Sequence, residues 1–155
     1  MSALTTVHQL ESRAASTLGA RLTEQAASIP DKTLLITPER RLTYSQMAAI
    51  TSRVAGGFQD LGVKQREVVC QMLPNCEDFI VNWLALAKIG AIHAPINPEF
   101  SGVALARLIN LTQARALVLE AELESSIAAI EGDLAYLKTI IYRADNDFTP
   151  DQRLA

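Results

Sequence analysis

Short apolar runs alternate with longer helix-forming stretches along most of this chain, and the connections between them are only a few residues long. Five runs read as strands, over 33–37, 67–73, 91–94, 116–119 and 139–142. Stretches with helical spacing follow the first four at 43–62, 77–89, 101–111 and 123–130, and another precedes them all at 7–28. A tight turn is enough to join antiparallel strands, but a parallel pair needs a crossover, usually a helix. The alternation therefore predicts an α/β fold, a doubly wound and mostly parallel sheet layer with helices on its faces. Right-handed crossovers would send helices to opposite faces where the strand order reverses. The run 67–73 is almost continuously apolar, as expected for a strand covered on both sides.

Local chemistry sharpens several of these elements. Thr43-Tyr44-Ser45-Gln46 has the form of a capping box, in which the Thr43 hydroxyl and the Gln46 side chain each serve an orphan backbone N–H. Tyr44, Met47, Val54, Phe58 and Leu61 follow on one helical face, and Gly62 is placed to end that helix in the left-handed conformation. Gly56 and Gly57 inside the pattern suggest a close neighbouring backbone. Asn75 can cap the helix that starts at Glu77, whose Glu77 and Asp78 complement the dipole of its first turn. That helix is apolar nearly all round and should be buried on more than one side. Gly19 is expected to break the stretch 7–28, which Pro30 ends. The run 33–37 reads as a short buried strand, and Glu39-Arg40-Arg41 as a solvated turn.

The chain has 155 residues, a net charge of −3 and an apolar fraction of 49%, which excludes disorder and supports a single ordered core. The expected organisation is one α/β subdomain over 1–142 and a polar connector or tail over 143–155. No Lys/Arg cluster points to nucleic acid. The most apolar stretch, 79–96, is interrupted by Asn82, Lys88, Gly90 and Pro95, so no membrane span is expected. Residues 1–6 lack a basic start, and Glu11, Arg13 and Arg21 stand where a signal sequence would be apolar, so a cytoplasmic location is expected.

Familiar ligand signatures are missing. The seven glycines form neither a dinucleotide fingerprint nor a P-loop, and no G-x-S-x-G elbow occurs. His8 and His93 have no metal-ligand spacing with Cys70 or Cys76. His93 reads as a hydrogen-bonded core histidine, with a ligand or base role as the alternative. Cys76 reads as a buried structural thiol, with reactivity near a helix N-terminus as the alternative. Trp83 is expected in the core or lining a pocket, and Arg40-Arg41 in solvent or against a phosphate. The residues alone assign no catalytic, cofactor or metal site.

One ordered set of motifs goes further. Arg41-Leu42-Thr43-Tyr44, Leu61-Gly62-Val63, Leu73-Pro74-Asn75, the stretch from Trp83 to Gly90 and Pro95-Ile96-Asn97-Pro98 resemble the start of the AMP-forming acyl-CoA synthetases, within the adenylate-forming superfamily. Asn75-Cys76-Glu77-Asp78-Phe79-Ile80, Leu86-Ala87-Lys88-Ile89-Gly90-Ala91-Ile92 and Pro95-Ile96-Asn97 are most similar to the crotonobetaine/carnitine–CoA ligase branch. Two places depart from the family. Arg66-Glu67 stands where Gly-Asp or Gly-Glu is usual, and 108–115 lacks the usual acidic residue and Ser.

The resemblance implies ligation of a carboxylic acid to CoA through an acyl-adenylate, with ATP, Mg and CoA as cofactors of the full-length family. The Ser/Thr/Gly-rich loop ending in Lys, the metal and ribose carboxylates and a C-terminal lysine are expected beyond Ala155. No catalytic, cofactor-binding or metal residue carries over to this sequence, so the chain alone is expected to bind none of these cofactors and to be inactive. Its expected partner is the remainder of a ligase chain or another subunit. The alternatives are a stand-alone, non-catalytic α/β protein–protein interaction subunit and a small unrelated α/β binding module using Cys76 or His93.

Overall fold

A computed structural model describes residues 17–144. Helix α1 (Leu18–Ser28) leads into a hairpin of β1 (Thr33–Ile36) and β2 (Arg41–Thr43), followed by α2 (Tyr44–Asp60). Then come β3 (Val68–Met72), α3 (Glu77–Ile89), β4 (Ile92–Pro95), α4 (Gly102–Thr112), β5 (Ala116–Glu120), α5 (Glu124–Ala128) and β6 (Thr139–Arg143). Strands β3 to β6 form a parallel sheet in the order β4-β3-β5-β6. The chain steps from β3 to one side, then returns past β3 to build the other side. That reversal makes the layer doubly wound, as the alternation predicts.

The period-2 alternation of side chains divides the two faces. Val69, Leu73, Ala116 and Val118 pack with Ala55 and Phe58 of α2 and with Ala85 and Leu86 of α3. Cys70, Met72, Leu117 and Leu119 pack on the opposite face with Leu105 and Ile109 of α4 and Ile127 of α5. A third cluster joins Leu22 of α1, Leu42 of β2, Met47 of α2 and Val81 and Leu84 of α3. Full burial of a Leu such as Leu86, Leu105 or Leu117 contributes about 1.5–3 kcal/mol over leaving it exposed. Helix α3 belongs to two of the three clusters, which is why its sequence is apolar nearly all round.

The capping box is present in both directions. Thr43 Oγ1 accepts from the Gln46 N–H at 3.3 Å, and Gln46 Oε1 accepts from the Thr43 N–H at 2.9 Å. The carbonyls of Lys32 and Pro30 accept from the N–H groups of Tyr44 and Ser45, so the hairpin base serves two more donors of the α2 N-terminus. Lys88 Nζ donates to the Ala48 carbonyl at 2.9 Å and to Ser52 Oγ at 2.7 Å, clamping α3 to α2. Gly62 and Gly90 adopt the left-handed conformation that ends their helices.

Several expectations are corrected. The run 33–37 does not join the parallel sheet but pairs antiparallel with β2, and Ile36 is 62% exposed. The polar link 38–40 is too short for a crossover, so the chain folds straight back on itself. Gly19 is the second residue of α1, which starts at Leu18 after the Thr17 N-cap, and the α3 backbone packs against it. Gly56 and Gly57 face open space rather than a neighbouring backbone. Leu61 is 52% exposed, beyond the buried face of α2. The N-cap of α3 is Cys76, not Asn75, and no side chain caps it. Arg143 ends β6. The expected helical residues 7–16 lie outside the described residues. Among the described residues, no helix is long and apolar enough to cross a membrane.

Three substitutions test this backbone reading by urea denaturation. A Cβ at Gly19 would lie 2.8 Å from the Lys88 Cα, so Gly19→Ala is expected to destabilise by about 1–3 kcal/mol through overpacking. Gly56→Ala, in open space within α2, is expected to stabilise by about 0.5–1 kcal/mol. Arg66 is exposed and holds φ 68°, so Arg66→Gly is expected to stabilise by roughly 0.5–1 kcal/mol, as relief of a left-handed conformation exceeds the entropy cost of Gly.

Candidate functional site

Open α/β sheets bind ligands at the carboxyl ends of their strands, where neighbouring connections leave to opposite faces. Here that point lies between β3 and β5, since the loop after β3 enters α3 and the loop after β5 leads to α5. Asn75 and Cys76 follow β3, Glu120 ends β5 and Arg143 ends β6. A cleft of about 760 Å³ opens beside them, between the β1–β2 hairpin and the start of α3, lined in part by Ile36, Arg40, Cys76, Glu77, Phe79 and Arg143.

The charges of this edge are already matched. Arg143 donates from Nε to Asp78 Oδ2 at 2.6 Å and from Nη1 to Glu120 Oε1 at 2.8 Å. Arg40 holds Glu77 in a fork, from Nε at 2.8 Å and from Nη2. The hydrogen bond to Asp78, with help from Glu120, pushes the Arg143 guanidinium above its ordinary range. The bond to Glu77 does the same for Arg40. These pairs tie together the hairpin, the α3 N-terminus and the ends of β5 and β6. They are partly solvated, so each is a modest stabiliser.

The two arginines of this edge carry carboxylates, and Glu77 and Asp78 place negative charge at the helix N-terminus. Among the described residues, no group of three or more His, Cys, Asp or Glu is placed to hold a metal ion.

The residues singled out in the sequence fall in separate places. Cys70 is fully buried, its Sγ 3.3 Å from Thr112 Oγ1, and burial pushes its thiol up. Cys76 is half-buried at the cleft, not enclosed in the core, and both cysteines are free. Trp83 is 43% exposed rather than a core aromatic, because it lies outside the α3 face that carries Val81, Leu84 and Ala85. His93 is half-buried, edge-on to Phe79 at 5.4 Å and stacked on Trp83 at 6.4 Å. Its Nε2 is buried and has no hydrogen-bond partner among the described residues, contrary to the expected hydrogen-bonded core histidine. Arg40 lies exposed in the link between β1 and β2, as expected of a solvated turn, and is ion-paired with Glu77, while Arg41 lies in β2 and His8 lies outside the described residues.

Two features escaped the sequence reading. The ion pairs join residues 37, 65 and 23 positions apart, a separation that no local pattern reports. Gln71 left a visible signal, a polar residue within an apolar strand. It is fully buried, its Nε2 donates to the Phe79 carbonyl at 3.3 Å, and its Oε1 has no partner among the described residues.

Comparison with known proteins adds what the geometry lacks. The family model described as "AMP-binding enzyme" matches residues 22–154. 4-Coumarate–CoA ligase 1 of Arabidopsis thaliana is 31% identical over 108 residues, covering 70% of this chain and 19% of that protein. Crotonobetaine/carnitine–CoA ligase of Salmonella typhimurium (strain LT2) is 36% identical over 97 residues, 59% of this chain and 19% of that protein. The chain thus spans about a fifth of the length of the curated relatives it matches. A solved structure from Rhodopseudomonas palustris, described as a long-chain-fatty-acid CoA ligase, aligns with a TM-score of 0.77 at 27% identity, covering 90% of this chain and 36% of that one. Mycobacterium tuberculosis fatty acyl CoA synthetase shares the fold, with a TM-score of 0.78 at 23% identity over 83% of this chain and 27% of that one.

The two thiols are expected to separate cleanly under a water-soluble disulfide reagent at neutral pH. Cys76 should react with the folded chain, while Cys70, buried and with a raised pKa, reacts only on unfolding. Equal rates for both thiols in the native state would contradict the packing of β3.

Proposed function

The chain belongs to the AMP-binding enzyme family, and from that premise we propose that it is one α/β layer of an ATP-dependent acyl-CoA ligase, inactive by itself. The parent reaction joins a carboxylic acid to CoA, converts ATP to AMP and pyrophosphate, and proceeds through an acyl-adenylate. The observation that carries the proposed inactivity is the carboxyl edge of the sheet, where Arg40 and Arg143 are engaged by Glu77, Asp78 and Glu120. ATP, Mg and CoA are then held by parts of a ligase other than this layer, which acts as scaffold. The relatives named for 4-coumarate and for crotonobetaine or carnitine support a carboxylic acid substrate and differ on which one.

A second reading, a non-catalytic interaction subunit, is favoured by the exposed apolar side chains Ile36, Ile92, Val103 and Leu111, at 62%, 50%, 82% and 79%. Either way the layer works against a partner, as the remainder of a ligase chain in the first case and as another subunit in the second.

The purified 155-residue chain is expected to give no carboxylate-dependent exchange of labelled pyrophosphate into ATP with a panel of aromatic, aliphatic and betaine-type acids. Exchange above the acid-free background with any of them would refute the scaffold reading.

A further inference from the structure

His93 stands on β4, an outer strand of the sheet, directly opposite Val69 of β3 in parallel register. Paired residues in adjacent strands share a face, so His93, Val69 and Gln71 all lie on the side covered by α3. There the imidazole is held by two rings one helical turn apart. Phe79 meets it edge-on at 87° and Trp83 lies nearly parallel to it at 30°. Among the described residues, His93 Nε2 and Gln71 Oε1 of this layer have no partner, and they do not bond each other. A neutral imidazole with one orphaned nitrogen is tolerable in such a place. An imidazolium brings a second donor and a full charge.

Among the described residues, the charged side chains of the elements packed around His93 are engaged elsewhere. From β3 this face receives Val69 and Gln71, while Cys70 lies on the opposite face and bonds Thr112. The charged groups of α3 are already committed. Glu77 and Asp78 are held by Arg40 and Arg143, and Lys88 reaches across to Ala48 and Ser52 of α2. Strand β4 carries no other titratable side chain.

We propose that His93 is an acid-sensitive latch, whose neutral imidazole holds β4 against the first half of α3 and whose protonation releases that edge of the sheet. The charged ring gains solvation by moving outward, and Trp83 stacked beside it is already 43% exposed. Burial holds the imidazole below the usual histidine pKa. A group depressed in this way contributes its full stability above pH 6.5, and the contribution is lost as pH falls from there through the folded-state value. The latch is independent of the ligase reading and stands if that reading fails.

Trp83 is the single tryptophan of the chain, so its emission reports this contact directly. The test follows the His93 ring proton by NMR in a His8→Gln background, and Trp83 fluorescence of the same protein, from pH 8 to pH 4.5. The expected result is a His93 midpoint below pH 6.5, a change in Trp83 emission with the same midpoint, and no such change in His93→Gln. A His93 midpoint at or above 6.5, an emission that stays flat through the titration, or an emission change that persists in His93→Gln would overturn the latch. If the His93→Gln chain does not fold, the two midpoints in the histidine-bearing protein decide the matter, and disagreement between them overturns it.

Discussion

The structure depends on one strand being covered from every direction. Val69, Cys70, Gln71 and Met72 of β3 are all fully buried, with β4 on one side, β5 on the other and helices on both faces. Each ladder neighbour satisfies backbone groups that burial would otherwise leave unpaired. The alternation of side chains sends Val69 to the core shared with α2 and α3, and Cys70 and Met72 to the core shared with α4 and α5. Because β3 comes first in the sheet yet lies inside it, the chain must build outward twice, once on each side. The reversal, the two-faced helix cover and the crevice at the carboxyl ends all follow from that placement.

Helix α3 carries the consequence outward. One side lies on the sheet, another on α1 and α2, and its first turn supplies the carboxylates that bind Arg40 and Arg143. Close approach on the α1 side is bought by the missing side chain at Gly19, set against the Lys88 backbone. Lys88 then turns its ammonium toward α2, where burial lowers its pKa but the Ala48 carbonyl and the Ser52 hydroxyl accept its protons. What remains of the surface of α3 faces β4 through Phe79 and Trp83, against which His93 rests. A single helix therefore couples the sheet, the helical flank, the charged edge and the outer strand.

What could be read in the residues was whatever local geometry dictates. The Thr43–Gln46 capping box, the span of α3 from Glu77 to Ile89 and the left-handed Gly62 and Gly90 each depend on groups within a few positions of one another. The hairpin was misread because Leu-Leu-Ile at 34–36 is equally apolar in a buried strand and in an exposed one, and burial is decided by what packs over it. Gly19 and Gly56 look alike in sequence, yet one meets a backbone and the other open space. The ion pairs of Arg40 and Arg143 lay beyond reach for the same reason, being assembled only when the fold brings the carboxyl edge together. Family resemblance reached further than periodicity because its motifs, such as Leu73-Pro74-Asn75 and Pro95-Ile96-Asn97-Pro98, mark the ends of β3 and β4, where the chain must turn in one particular way.

The same distinction separates fold from chemistry in this layer. A site for a phosphorylated ligand needs donors left over after folding, and at the carboxyl edge Nε and one terminal nitrogen of each arginine are engaged by Glu77, Asp78 and Glu120. Charge at this edge serves to hold four elements in register, and the aromatic contact of His93 does similar work on the outer strand. The exposed apolar residues Ile36, Ile92, Val103 and Leu111 leave hydrophobic area unburied on the layer, the kind of surface through which the proposed scaffold would meet protein.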